Sequence, residues 1–128
     1  MSATQKTKGG SSWPAIPADT VWLDDRYEPV REEMLWVKTV DGLLEAMRAH
    51  RAEHCALDHN LGMYDTRTGT DALLALIAED LLPTCSIQII SGATDARQTM
   101  GQAIVDTGLF EPEPLDHPLG PFYVRKSA

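Results

Sequence analysis

Residues Thr20–Lys38 read TVWLDDRYEPVREEMLWVK, and this stretch decides the fold. Thr20–Asp24 is a β-branched and apolar run closing on Asp24 and Asp25, and Met34–Lys38 (MLWVK) is a second such run. Short apolar runs between polar segments are the pattern of strands buried in a sheet. Only eight residues, RYEPVREE, separate Asp25 from Met34. A helical crossover between parallel neighbours takes about ten or more. Either the first crossover is reduced to a loop, or the second strand is not parallel to the first.

Thr39 is placed to cap a helix over about Val40–Arg51, where Val40, Leu43, Leu44 and Met47 follow the i, i+3, i+4, i+7 spacing. His54–Asp58 (HCALD) is a third strand, and it too closes on an aspartate. Gly62–Gly69 is a turn-rich loop. The next helix spans about Thr70–Leu82, with Leu73, Leu74, Ile77 and Leu81 on one side and Pro83 as its stop. Ser86–Ile90 (SIQII) is apolar enough to be a central strand. A helix over Thr94–Thr107 turns Met100, Ile104 and Val105 inward and ends at Gly108. The Pro-rich Glu111–Pro121 segment leads to a last strand, Phe122–Arg125. Strands alternating with helices predict an α/β fold: a three-layer sandwich around a five-stranded, mainly parallel sheet with a shortened first crossover.

The composition sets outer bounds on function. With 128 residues and 43% hydrophobic side chains the chain can build one core, which excludes global disorder. The expected division is a mobile arm over residues 1–19, with Trp13 and Ile16 packing on the domain, and a folded domain over residues 20–128. No apolar run approaches the roughly 20 residues of a membrane span. MSATQKTKGG lacks a signal-peptide core, so a cytoplasmic location is expected. The net charge is −8, and residues 20–128 alone carry 18 acids against nine bases. Such a surface disfavours bulk DNA binding by phosphate neutralisation. Cys55 and Cys85 are expected to be buried, reduced thiols, and no Cys/His pair has zinc spacing.

The chemistry lies in the acids that end strands. In open α/β sheets, ligands sit beyond the carboxyl ends of the strands. Asp24, Asp25 and Asp58 occupy such ends, and neighbouring strands lie about 5 Å apart. Three carboxylates in one desolvated volume raise one another's pKa unless a cation neutralises them. Hard oxygen donors suit Mg²⁺, or Mn²⁺. Ser91, just past the fourth strand, is placed to donate to a phosphate oxygen, or to shape a turn. Lys126, just past the last strand, is a candidate partner for the same anion.

Strand–DD, strand–D, strand–Ser and a late Lys, in that order, resemble the receiver domains of two-component signalling. There the acid pair binds Mg²⁺ and the strand-three Asp accepts a phosphoryl group. WLDDRYEP (Trp22–Pro29), LDHNLG (Leu57–Gly62), TGTDALL (Thr68–Leu74) and SGATDARQTM (Ser91–Met100) are more similar to a divergent branch. That branch is the cyclic-phosphate-processing receiver-like domains of bacterial and phage genomes, whose first connection is also short. The resemblance implies a flavodoxin/receiver-like fold and a phage or conflict-system setting. It implies Asp24, Asp25 and Asp58 for the metal, Asp58 and Ser91 for catalysis, and Arg97 and Lys126 for phosphate. Departures occur at Tyr27, where the branch has Arg (Arg26 stands one residue early), at Asn60 for an acid, at Ile90 for His and at Ala93 for Asn. Losing the His leaves His59 as the candidate proton shuttle.

Three functions follow as expectations. The first is a metal-dependent phosphoesterase acting on a cyclic phosphate or related ester, in a small molecule or at an RNA end. The second is a catalytically decayed module that binds a protein partner through the Pro-rich segment and acidic surface. The third is a phosphoacceptor receiver modified on Asp58.

Overall fold

The computed structural model describes residues 19–62, 64–114 and 117–126. The N-terminal arm, including Trp13 and Ile16, lies outside these residues apart from Asp19. Among the described residues the order is β1 (Thr20–Leu23), β2 (Leu35–Val37), α1 (Val40–Ala49), β3 (His54–Leu57), α2 (Gly69–Ala78), β4 (Ser86–Ile89), α3 (Thr94–Asp106), β5 (Phe110–Pro112) and β6 (Phe122–Arg125). The sheet order is β2-β1-β3-β4-β6-β5. β1 is parallel to both β2 and β3, and β3 is parallel to β4. β6 runs antiparallel to β4 and to β5. The eight-residue gap is therefore a loop crossover between parallel neighbours, without a helix.

Two expectations change. The sheet has six strands rather than five, because Phe110–Pro112 pairs with β6. Among the described residues the helices lie on one side of the sheet only. Side chains alternate along a strand, and one set (Val21, Leu23, Cys55, Leu57, Ile87 and Ile89) joins the core built by all three helices. The other set meets no helix: Trp22 and Ala56 pack with Met34, with Ile90 and Leu119 against them. Gln88, buried on that side, donates from Nε2 to the Gly120 carbonyl. Gly120, at φ +136°, lets the 117–121 turn approach Ile89, whose carbonyl a side chain there would strike. The missing first helix is thus replaced by loop residues that cover the back of the sheet.

The helix boundaries follow local chemistry. Thr39 caps α1 as expected, its hydroxyl accepting from the Gly42 amide, and Val40, Leu43, Leu44 and Met47 are buried. Thr68 and Asp71 form a reciprocal capping box at α2. The buried side of α2 is Gly69, Ala72, Leu73 and Leu76; of the expected stripe, Leu73 and Leu81 are buried and Ile77 packs against the core, while Leu74 is exposed. The helix ends before Pro83, at Ala78, where Asp80 takes a left-handed φ of 58°. In α3, Ala96 and Gly101 join Met100 and Ile104 inside, while Val105 is exposed. Cys55 is buried, but Cys85 is exposed, against expectation; both are free thiols.

Candidate functional site

The carboxyl ends of β1, β3 and β4 carry the site. The register pairs Leu23 with Leu57 and Leu57 with Ile89. It continues one step further, as the Asp58 amide donates to the Leu23 carbonyl and the Ile90 amide to the Leu57 carbonyl. Asp24, Asp58 and Ile90 therefore form one row across the sheet, just past its paired residues. One carboxylate oxygen from each of Asp24, Asp25 and Asp58 lies within 4.8 Å of the other two. The three acids expected to converge do so.

Each acid is held by its own loop. Asp24 is buried, and its Oδ1 accepts from the backbone amides of Arg26 and Tyr27. That turn is braced by two indoles: Trp22 Nε1 donates to the Tyr27 carbonyl and Trp36 Nε1 to the Asp24 carbonyl. Asp58 Oδ1 accepts from the His59 amide. Burial, with the nearby charge of Asp24 adding to it, pushes the Asp58 pKa up to about 6. The His59 amide and Arg26 pull the other way, so Arg26, one residue early in sequence, still acts on Asp58.

The loop after Asp58 is anchored to two helices. Gly69 donates its amide to the His59 carbonyl, and a side chain at Gly69 would run into the Asp58 carbonyl oxygen. His59 Nδ1 lies 3.0 Å from Thr70 Oγ1, which turns the imidazole toward the first turn of α2. Asp65 accepts from the Val40 amide at the start of α1 and from the Arg67 amide and guanidinium. These bonds, the Arg67 amide foremost, hold the Asp65 pKa down at about 2.

Ser91 and Arg97 come together beyond β4. Ser91 is buried, its Oγ accepting from the Ala93 amide, while Arg97 Nε donates to the Ser91 carbonyl at 2.6 Å. Ser91 therefore shapes the turn into α3, and its hydroxyl hydrogen is left to donate elsewhere. Ile90 packs its side chain into the back cluster, at the row position next to Asp58.

Lys126 is not brought to this site. Because β6 is antiparallel, its carboxyl end lies beside the amino end of β4: Arg125 donates its amide to the Cys85 carbonyl. Lys126 thus sits at the opposite end of the sheet, about 13 Å of strand away from the acids. The strand's direction, which its residues alone did not reveal, decides this. A lysine that the sequence reading passed over, Lys38, follows β2 on the acidic side, where the Asp24 amide donates to the Val37 carbonyl. Its ammonium lies 4.5 Å from the Trp36 ring centre and 4.9 Å from that of Tyr64. The lysine between two aromatics on the rim was readable only once β2 was known to be parallel.

The donor set fits a hard divalent cation: three carboxylates, one buried and two half-buried, converge with no sulfur or imidazole ligand among them. No helix among the described residues is long and apolar enough to cross a membrane. No curated protein and no solved structure matches the chain significantly. The family model for the cyclic-phosphate processing receiver domain matches residues 20–106, which takes in β1 through α3 and every acid of the pocket. By that match, over most of its length, the chain belongs to the cyclic-phosphate processing receiver domains.

Proposed function

We infer that this domain opens a cyclic phosphate, or hydrolyses a related phosphate ester, at the Asp24–Asp25–Asp58 pocket with Mg²⁺ or Mn²⁺ bound. The observation that carries this reading is the convergence of the three carboxylates at the strand ends, with Asp58 raised to about 6 by burial and by Asp24. A site that disfavours its own charge is one that gains by neutralisation. The cation supplies charge neutralisation and polarisation of the phosphoryl oxygens when bound. Asp24, Asp25 and Asp58 hold it. Arg97, fixed on the Ser91 carbonyl, and the Ser91 hydroxyl face the phosphate; Arg26 adds positive charge near Asp58. His59, steadied by Thr70, moves the proton. In the overall reaction water adds to phosphorus, one ring P–O bond breaks, and the departing oxygen takes a proton, leaving a phosphomonoester. The substrate is a small molecule or an RNA end. Divalent-cation-dependent release of monoester from cyclic phosphates, lost in Asp58→Ala, is the expected result; no turnover of any cyclic phosphate with Mg²⁺ or Mn²⁺ overturns the reading.

One observation favours a second reading, a module that binds a protein partner. The row position beside Asp58 holds Ile90, an apolar side chain where proton transfer would call for a titratable one. Retained cation binding without turnover, together with a stoichiometric protein complex, would support it. The third reading, a phosphoacceptor Asp58, is weakened by the place of Lys126 at the far end of the sheet. Acetyl phosphate followed by intact-mass measurement tests it directly.

A further inference from the structure

The opposite end of the sheet gathers a different set of donors. A Glu53 carboxylate oxygen, a His54 ring nitrogen and Cys85 Sγ lie within 4.8 Å of one another. They come together through register: the Cys85 and Ser86 amides both donate to the Glu53 carbonyl, and His54 pairs with Ser86 across β3 and β4. Asp19 fixes the same corner, accepting the Glu53 amide on Oδ2 and the His54 amide on its carbonyl. The backbones that carry all three donors are thus tied to each other before any ligand arrives.

We propose that Glu53, His54 and Cys85 form a binding site for a thiophilic divalent metal ion, Zn²⁺ above all. The site is independent of the phosphate-processing reading. Thiolate, imidazole and carboxylate together select zinc over magnesium, the reverse of the acidic pocket's preference. Bond lengths of about 2.0–2.3 Å set tetrahedral donor separations near 3.5 Å, so the present spread closes with a small side-chain rotation. Glu53 and Cys85 are exposed, which leaves them free to make it. One carboxylate and one thiolate balance the ion's two charges, and solvent supplies the fourth ligand at this open end.

His54 is set up as a ligand by its neighbour. Its Nδ1 lies 2.6 Å from Ser86 Oγ. With Nδ1–H donating to that hydroxyl, Nε2 presents its lone pair, and Nε2 is the nitrogen beside the Glu53 carboxylate, 3.7 Å away. Cys85 carries the thiol chemistry by itself. Cys55 is enclosed, its thiol facing Met47 Sδ, with burial pushing its pKa up to about 12.

Co²⁺ titration in the presence of excess Mg²⁺ tests the site on the full chain, with absorbance as the readout. The expected result is one equivalent of Co²⁺ showing a thiolate-to-metal charge-transfer band that Zn²⁺ displaces. Cys85→Ser abolishes the band, Ser86→Ala weakens binding about 10- to 100-fold through loss of the ring's orientation, and Asp58→Asn leaves it unchanged. Circular dichroism confirms that each variant is folded. No band in the wild type, or a band that survives Cys85→Ser, overturns the proposal. Co²⁺ uptake that shows only weak d–d absorption, survives Cys85→Ser and is lost in Asp58→Asn places the ion in the acidic pocket and overturns the proposal equally.

Discussion

Gly69 lies so close to Asp58 that a single methyl group on it would strike the Asp58 carbonyl oxygen. The first residue of α2 is thereby pressed against the residue at the centre of the acidic pocket, and the Gly69 amide secures the contact by donating to the His59 carbonyl. Gly69→Ala must push α2 and the Asp58 loop apart. We expect a loss of about 1–3 kcal/mol in urea unfolding, with weaker Mg²⁺ binding by calorimetry. Exposed Gly62, with open space around it, is the control: Gly62→Ala leaves cation binding unchanged.

The Asp58 pKa fixes the sign of a pH effect. The group ionises near 3.8 in the unfolded chain and at about 6 in the fold, so between these values the folded state binds more protons. Without divalent cations, the contribution of Asp58 to stability therefore falls as pH rises from about 4 to about 6 and is level above that. The difference between wild type and Asp58→Asn isolates it from the half-buried histidines, His54 and His117, which act in the opposite sense. Asp58→Asn removes this slope and raises the urea midpoint of the cation-free protein at pH 7.5. With Mg²⁺ added, the expected outcome is a raised midpoint for the wild type and none for the same variant. A metal-free Asp58→Asn protein less stable than wild type at pH 7.5 would contradict the repulsion described here.

Ile90 occupies the row next to Asp58, packed against the cluster that Trp22, Met34 and Ala56 form. Ile90→His places an imidazole beside the acids at the cost of apolar packing, about 1–2 kcal/mol. If the pocket processes cyclic phosphates, the rate of ring opening rises by at least about tenfold, a fraction of the roughly 10²- to 10⁴-fold that a well-positioned acid or base contributes. Steady-state kinetics, with the unfolding midpoint measured in parallel, separates this gain from the packing loss.

Lys126 belongs to the far end of the sheet, so Lys126→Ala leaves cation binding and any phosphate turnover unchanged. Its effect on stability stays within about 0.5 kcal/mol, as for exposed surface positions. Arg97→Ala, by contrast, removes the donor fixed on Ser91 and raises KM for the phosphate substrate.

The legible parts of this molecule were those written in local runs. TVWLD, HCALD and SIQII are continuous apolar stretches, and the aspartates that end two of them fall on one row because parallel pairing keeps their ends level. Thr39 caps the helix that follows it for the same local reason, whereas Thr68, which caps α2 in the same way, lay in the stretch read as a loop. What escaped depends on pairing between distant segments. Phe110–Pro112 is too short and Pro-rich to read as a strand, and exists through its hairpin with β6. On α2 only Leu74 was misplaced, with Leu76 inside instead, because the helix is apolar nearly all round and adjacent leucines carry equal signals. Lys126 was misplaced because residues FYVR do not record their direction. The Glu53–His54–Cys85 cluster was invisible because 30 residues separate its two halves, and the β3–β4 register alone unites them.

The outermost strands of the sheet, β2 and β5, are three residues each. An unpaired outer strand is a template on which another chain can add its own backbone, and length and flatness make it dangerous. Here Pro112 removes an amide from β5, while Lys38 follows β2 and charges the rim beside exposed Leu35 and Trp36. Both features disfavour edge-to-edge growth at the flanks seen among the described residues. Short, proline-marked and charged flanks leave the faces of the sheet and its strand ends, rather than its edges, as the surfaces this fold offers for recognition.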